Sequence, residues 1–251
     1  MDFTTLILII TAFTGGILAI PVGGSFLLVI PVMLLLGLNG LETLVLSKIF
    51  AISCLAGGSG YFLIHNHYEW KPIFYFLSGN AVGSIIAAKL ANSIDIETLT
   101  IIVPWILLGG AVFLVKDFKI KNIHTQKKLY FLFPFFGLLF GIYGGLGGSG
   151  TGPGSVILLS LALGLGMYKA IVNARMLELI GSSFITILYI AFGARFIGYE
   201  IPVAVAAILG GIIGAKLTIK SNPVWLKRAL LLLIIVSIVK TFWPLIAKLF
   251  Q

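Results

Sequence analysis

Charged side chains are scarce here: Asp, Glu, Lys and Arg make up 10% of the 251 residues, against about a quarter in an ordinary soluble domain. That shortfall excludes a water-soluble globule. Cysteine is scarcer still. Cys54 stands alone, so an internal disulfide and a cysteine-based zinc site are both excluded, and within an apolar stretch the thiol reads as a small packing residue. His65 and His67 share a short polar loop without further ligands, a pairing more often inert than metal-binding. The sequence has no HExxH, no intramembrane serine with a histidine base, no paired aspartates and no cofactor attachment sequence. Neither enzymatic activity nor a cofactor is therefore expected. No signature for RNA or DNA appears. The N-terminus has neither the basic region nor the small-residue cleavage site of a secretory signal, and its first apolar segment runs past Ile20; it is expected to be retained.

What is present is apolar: 59% of the chain. The expected class is an all-α integral membrane protein that crosses the bilayer several times. Its net charge of +9 falls mostly in short loops and segment ends, where basic residues set orientation and meet anionic lipid headgroups. Trp70, Trp105, Trp225 and Trp243 mostly sit at segment ends, where indole favours the interface. Lys89 and Lys216 end their segments as interfacial anchors.

One stretch organises the rest. From Gly141 to Gly154, eight of fourteen residues are glycine, and Pro153 is among the others. This stretch lies within an apolar run from Leu129 to Leu165, too long for one upright helix, since the hydrocarbon core needs about 20 residues. The segment should break in its middle. Short glycine pairs most often serve close helix packing, but this density exceeds that need. A nucleotide loop is disfavoured because no Lys followed by Ser or Thr closes the run. At membrane depth, broken backbone is tolerated only in a protein interior or beside a wet cavity, and the amides freed at a half-helix start favour anions.

The first segment, Thr4 to Gly37, is a weaker copy, interrupted by Gly15, Gly16, Pro21, Gly23, Gly24 and Pro31. Spans at Leu41–Ile64, Trp70–Leu90 and Leu99–Val115 follow, then the basic stretch Lys116–Lys128. After it the order recurs, with Leu129–Leu165, Tyr168–Phe192, Tyr199–Leu217 and Val224–Phe250. Residues 83–90 match residues 210–217 at six of eight positions, and at the same offset of 127 Gly37 falls on Gly164 and Lys48 on Arg175. A first repeat over 1–115, a cytoplasmic loop over 116–128 and a second repeat over 129–251 are expected.

The loop 116–128 and the stretch holding Lys216, Lys220, Lys227 and Arg228 both read as cytoplasmic. Three full crossings separate them unless the glycine-broken segment enters the membrane and returns on the same face. Each repeat then has about three transmembrane helices plus one glycine-broken re-entrant segment, and an odd number of crossings inverts the second repeat relative to the first. Both termini would lie outside.

Two cations sit in apolar sequence. Lys48 has no acid on its own helical face, Glu42 being six residues away, and an intramembrane cation usually faces a cavity or a partner; snorkelling to the interface is the alternative. Arg175 has Glu178 three residues on, within reach of a local ion pair. Glu178 is either that partner or a carrier of coupled protons. Two cations at one pseudo-two-fold axis would clamp an anion from both sides, and the guanidinium fork suits oxyanions. Gly23, Gly24, Ser25, Ser47, Ser149, Gly150, Thr151, Gly152 and Asn173 are the amides and polar groups nearest these breaks and complete the candidate site.

Gly141, Tyr143, Gly145, Gly148, Gly150, Thr151 and Gly152 resemble the second-repeat signature of the TauE/SafE family, the sulfite exporter or toluenesulfonate uptake permease family. Gly23, Gly24, then Ile30, Pro31, then Ser47, Lys48 resemble its first-repeat pattern. Ala174, Arg175 stand where that pattern usually has Thr-Lys, and Glu178 stands where it has Asn; Ser25 and Phe26 cut the first glycine cluster short. The resemblance, which covers nearly the whole chain, implies a multi-pass inner-membrane transporter of sulfite or organosulfonates such as sulfoacetate, in the exporting direction, working by alternating access around a midplane site. Its partners would be the small anion and the lipid bilayer. Oligomeric state is open, a homodimer being one arrangement compatible with the sequence. The rival from another class is a membrane scaffold or lipid-binding assembly protein without transport activity, in which the glycines serve packing and the cations hold headgroups.

Overall fold

The computed structural model describes residues 2–23, 26–38, 40–65, 68–90, 130–146, 151–192 and 196–222, with isolated positions 224, 225, 228 and 232. The expected span Leu99–Val115, the basic loop and nearly all of Val224–Phe250 lie outside the described residues, as do Gly24, Ser25, Ser149 and Gly150.

The described residues are helical: α1 (Phe3–Val22), α2 (Phe26–Leu35), α3 (Gly40–His65), α4 (Trp70–Leu90), α5 (Leu132–Gly145), α6 (Thr151–Leu163), α7 (Met167–Ala191) and α8 (Glu200–Lys220). Among them α1, α3, α4, α7 and α8 are long and apolar enough to cross a membrane. In lipid the helix is favoured because it pairs its own amides and carbonyls. Several hydroxyls follow the same rule: Thr14, Ser155, Thr186 and Thr218 each donate to a carbonyl one turn back, so none of these four presents an unpaired donor to hydrocarbon. Ile201, Val205 and Leu209 of α8 are exposed, as a lipid-facing stripe should be.

Both glycine-broken segments are interrupted, but not at every glycine. The helix α1 runs through Gly15, Gly16 and Pro21 and stops at Gly23. Gly16 is a packing residue, since a Cβ there would lie 2.9 Å from the Ala207 carbonyl of α8. Gly23 adopts φ +76° and ψ 171°, a region open almost solely to glycine, and that is where the chain leaves the helix. In the other half α5 ends at Gly145 and α6 begins at Thr151. The pair α5–α6 is a hairpin. Tyr130, just before α5, and Leu163 to Lys169, at the end of α6 and the start of α7, line one open hollow of about 620 Å³.

The halves exchange partners. The helix α4 packs on α5 and α7, while α8 packs on α1 and α3. Close approach at these crossings needs bare backbone: a Cβ on Gly83 or Gly79 would collide with the Leu138 or Pro134 carbonyl of α5, and one on Gly210 with the Phe13 carbonyl of α1. Helices α4 and α5 run parallel, with Phe76 and Asn80 against Gly137, then Asn80 and Ser84 against Gly141. Helix α7 runs alongside α4 in the same sense, from Asn173 beside Glu69 to Gly181 beside Asn80. It opposes α3, because Phe62 near the end of α3 meets Tyr168 near the start of α7. Gly37 and Gly164, 127 residues apart in the sequence, both turn with positive φ, +83° and +64°, ahead of α3 and α7.

Candidate functional site

The ends of the broken segments meet at a charge pair. On α7, Arg175 and Glu178 are one turn apart, and Nη1 of Arg175 donates to Oε2 of Glu178. The arginine is 1% exposed. Its guanidinium lies against Gly23: a Cβ there would stand 3.0 Å from Nη2 and 3.2 Å from Nη1. A Cβ on Gly152 would stand 2.9 Å from Oε1 of Glu178, 3.0 Å from Nη1 of Arg175 and 3.2 Å from the Cα of Gly23. Both positions are tight for a side chain, because the Arg175 and Glu178 side chains occupy the space it would fill.

The pair is under-satisfied. Among the described residues, Nε and Nη2 of Arg175 and Oε1 of Glu178 are buried without a hydrogen-bond partner. Such groups are rare in native interiors and call for a water, an ion or a ligand, since leaving a buried polar atom unpaired costs about 1–3 kcal/mol, more when it is charged.

Lys48, 3% exposed, enters from α3, and its ammonium donates to the carbonyl of Gly144. That carbonyl belongs to the last turn of α5, where acceptors lose their intrahelical donors and the helix dipole is negative. Each cation thus touches the broken segment of the opposite half: Lys48 at Gly144, Arg175 at Gly23. Beside them lies a cavity with about 40 Å³ open to the centre of a water molecule, lined by Lys48, Asn80, Ser84, Thr151, Ser155 and Glu178. At about 10–15 Å³ per water on this measure, it has room for a few waters or one small ion.

The remaining candidates divide. Thr151 lines the cavity and Ser47 is fully buried in α3. Asn173 is committed elsewhere: its Oδ1 accepts from the Glu69 amide at 2.7 Å and its Nδ2 donates to the Lys169 carbonyl at 2.8 Å, tying the α3–α4 turn to α7. Gly24, Ser25, Ser149 and Gly150 are outside the described residues. Glu178 stands against Arg175, the ion pair its three-residue spacing allows, and the Gly144 carbonyl stands against Lys48, as desolvated cations require. Asn80, Ser84 and Ser155 were missed. Hydropathy does not say which face of α4 or α6 turns inward; the one available signal was an amide, Asn80, in the otherwise apolar run of α4. His65 stacks on Tyr61 with ring centroids 4.3 Å apart, and His67 lies outside the described residues.

The sequence is similar to those of known membrane proteins. The sequence profile described as Sulfite exporter TauE/SafE matches residues 8–241. A protein of Haemophilus influenzae named "Probable membrane transporter protein" is 25% identical over 215 residues, 84% of each chain. One of a Sinorhizobium species named "Probable membrane transporter protein ORF9" is 24% identical over 233 residues, 92% of this chain and 88% of its own. No solved structure matches.

Proposed function

The chain belongs to the Sulfite exporter TauE/SafE family, a family of membrane transporters, and from that premise we propose that it carries small sulfur-containing anions, sulfite or organosulfonates such as sulfoacetate, across the inner membrane. The observation that carries this reading is the position of Arg175, dehydrated between Gly23 and Gly152 with donors to spare. A sulfur oxyanion offers three acceptor oxygens and a negative charge, the complement of a guanidinium with unused N–H groups and a nearby ammonium. The substrate-binding set is Lys48, Arg175, Thr151, the backbone at Gly23 and Gly152, and the flanking Gly24, Ser25, Ser47, Ser149 and Gly150.

Transport proceeds by alternating access between two inverted repeats, residues 1–115 and 129–251. Three observations support that arrangement: the hairpin α5–α6, the shared turns at Gly37 and Gly164, and the exchange in which α4 and α8 each pack on the other half. A site built from both halves changes its exposure when one rocks against the other.

The test is flux of radiolabelled sulfite or sulfoacetate into liposomes. Protein-dependent flux that falls in Lys48→Ala and Arg175→Ala supports the proposal. Flux no greater than in protein-free liposomes removes the transporter reading, and undiminished flux in both variants removes the site.

A further inference from the structure

Glu178 is more than a structural counter-ion. Its carboxylate has one oxygen on Arg175, while the other is buried at Gly152 without a partner among the described residues, and it also lines the cavity that Lys48 enters. It therefore stands where an anion bound to Arg175 would stand, as a tethered competitor. With Glu178 ionised, Arg175 is neutralised from within, and an anion arriving at the guanidinium meets a like charge in a dehydrated site.

We propose that Glu178 makes anion binding proton-linked: a proton taken up by its carboxyl group frees Arg175, so that one proton and one anion occupy the site together. The inference rests on the anion-transport reading above. The step balances. The carboxylate gains a proton and becomes a neutral acid, the Nη1 hydrogen bond passes from Oε2 of Glu178 to an oxygen of the anion, and the site gains one positive and one negative charge. Neither event is favourable alone. Protonation without an anion strands a buried guanidinium, and an anion without protonation puts two anions on one cation; leaving either charge buried without its partner is strongly unfavourable. Coupling follows from this mutual dependence.

Among the described residues lining the cavity, Glu178 is the one carboxyl group. From its own helix it faces Arg175, and further along Tyr189 donates to the Gly145 carbonyl. From α3 come the ammonium of Lys48, held at the Gly144 carbonyl, and the thiol of Cys54, which donates to the Ala51 carbonyl at 3.2 Å. Among the described residues lining the cavity, α4, α5 and α6 contribute uncharged groups: Asn80, Ser84, Thr151, Ser155 and backbone. For a monovalent anion the combined movement is electroneutral, and its direction follows the sum of the two gradients.

The test is calorimetric titration of the full-length protein in detergent with methanesulfonate, whose own charge is fixed, between about pH 5.5 and about pH 8. The wild type is expected to weaken up to about tenfold per pH unit as pH rises, the slope for one linked proton. Its heat of binding should also vary with the ionisation enthalpy of the buffer, by the amount for about one proton taken up. Glu178→Gln should bind with affinity independent of pH. Wild-type affinity and heat that are both indifferent to pH and buffer overturn the proposal while leaving the anion site standing. A wild-type-like slope in Glu178→Gln overturns Glu178 as the seat of the proton. Absence of methanesulfonate binding by well-folded wild type overturns the anion reading and this inference with it. The buffer measurement needs only the wild type, so the proposal can be overturned even where the variant does not fold.

Discussion

Gly23 and Gly152, from opposite halves of the chain, approach so closely that a methyl group on the second would lie 3.2 Å from the Cα of the first. Against them on the α7 side is the Arg175–Glu178 pair. Two interruptions that look separate in sequence are thus one feature in space.

Filling that contact should be costly. Gly152→Ala pushes a methyl group into Glu178 and Arg175, an overpacking change expected to cost about 1–3 kcal/mol. Gly37→Ala is the contrast, because nothing lies within 4 Å of a Cβ there and its cost is that of a positive φ, +83°, about 1 kcal/mol. Thermal unfolding in detergent should rank Gly152→Ala as the more damaging, with anion binding lost only in that variant.

The helix crossings make a second comparison. At Gly83 a Cβ collides with the Leu138 backbone of α5, whereas at Gly60 it meets open space. Gly83→Ala should lower the unfolding temperature by several degrees or prevent folding. Gly60→Ala should be neutral or stabilising by about 0.4–1 kcal/mol, since alanine restricts the unfolded chain and favours the helix.

Arg175→Gln strands a buried carboxylate and is expected to cost about 3–5 kcal/mol. Adding Glu178→Gln removes the stranded charge and should restore most of that stability without restoring anion binding. Unfolding midpoints of the single and double variants, measured beside sulfite binding, separate the structural part of the pair from the functional part. Equal destabilisation by single and double variants would argue against a buried ion pair.

Lys48→Met keeps the length and apolar stem of the side chain but leaves the Gly144 carbonyl without its cation. A loss of about 1.5–3 kcal/mol is expected for the charge-assisted hydrogen bond given up, and sulfite binding should weaken at least tenfold, the value of about 1.4 kcal/mol of lost charge interaction.

Much of the helix frame was legible because hydropathy marks where chain and lipid agree. Leu41–Ile64 is realised as Gly40–His65, Trp70–Leu90 as itself, and Tyr168–Phe192 as Met167–Ala191. Helix α8 runs past the expected Leu217 to Lys220, because a helix can continue into the polar interface after its apolar stretch ends. The break in the first segment was harder to place. Gly15, Gly16 and Pro21 all read as interruptions, yet Gly15 and Gly16 make room for Val29, Phe50 and Ala207 within or against a continuous helix, and it is Gly23, with its positive φ, that ends α1. Composition does not distinguish a glycine kept for space from one kept for its backbone angle. The ion pair was legible from its three-residue spacing, but the engagement of Lys48 with Gly144, 96 positions away, was not. Which face of α4 carries Asn80 and Ser84 to the cavity was likewise set by packing at Gly79 and Gly83.

The decisive measurement is uptake of radiolabelled sulfite by liposomes carrying either the wild type or the Arg175→Gln/Glu178→Gln protein, each first shown to be folded. If the meeting of the two interruptions at Arg175 is the anion site, uptake is saturable with the wild type and falls to the protein-free level with the double variant. Undiminished uptake by the folded double variant would place the anion elsewhere, and protein-free levels with the wild type would mean that this chain does not move sulfite.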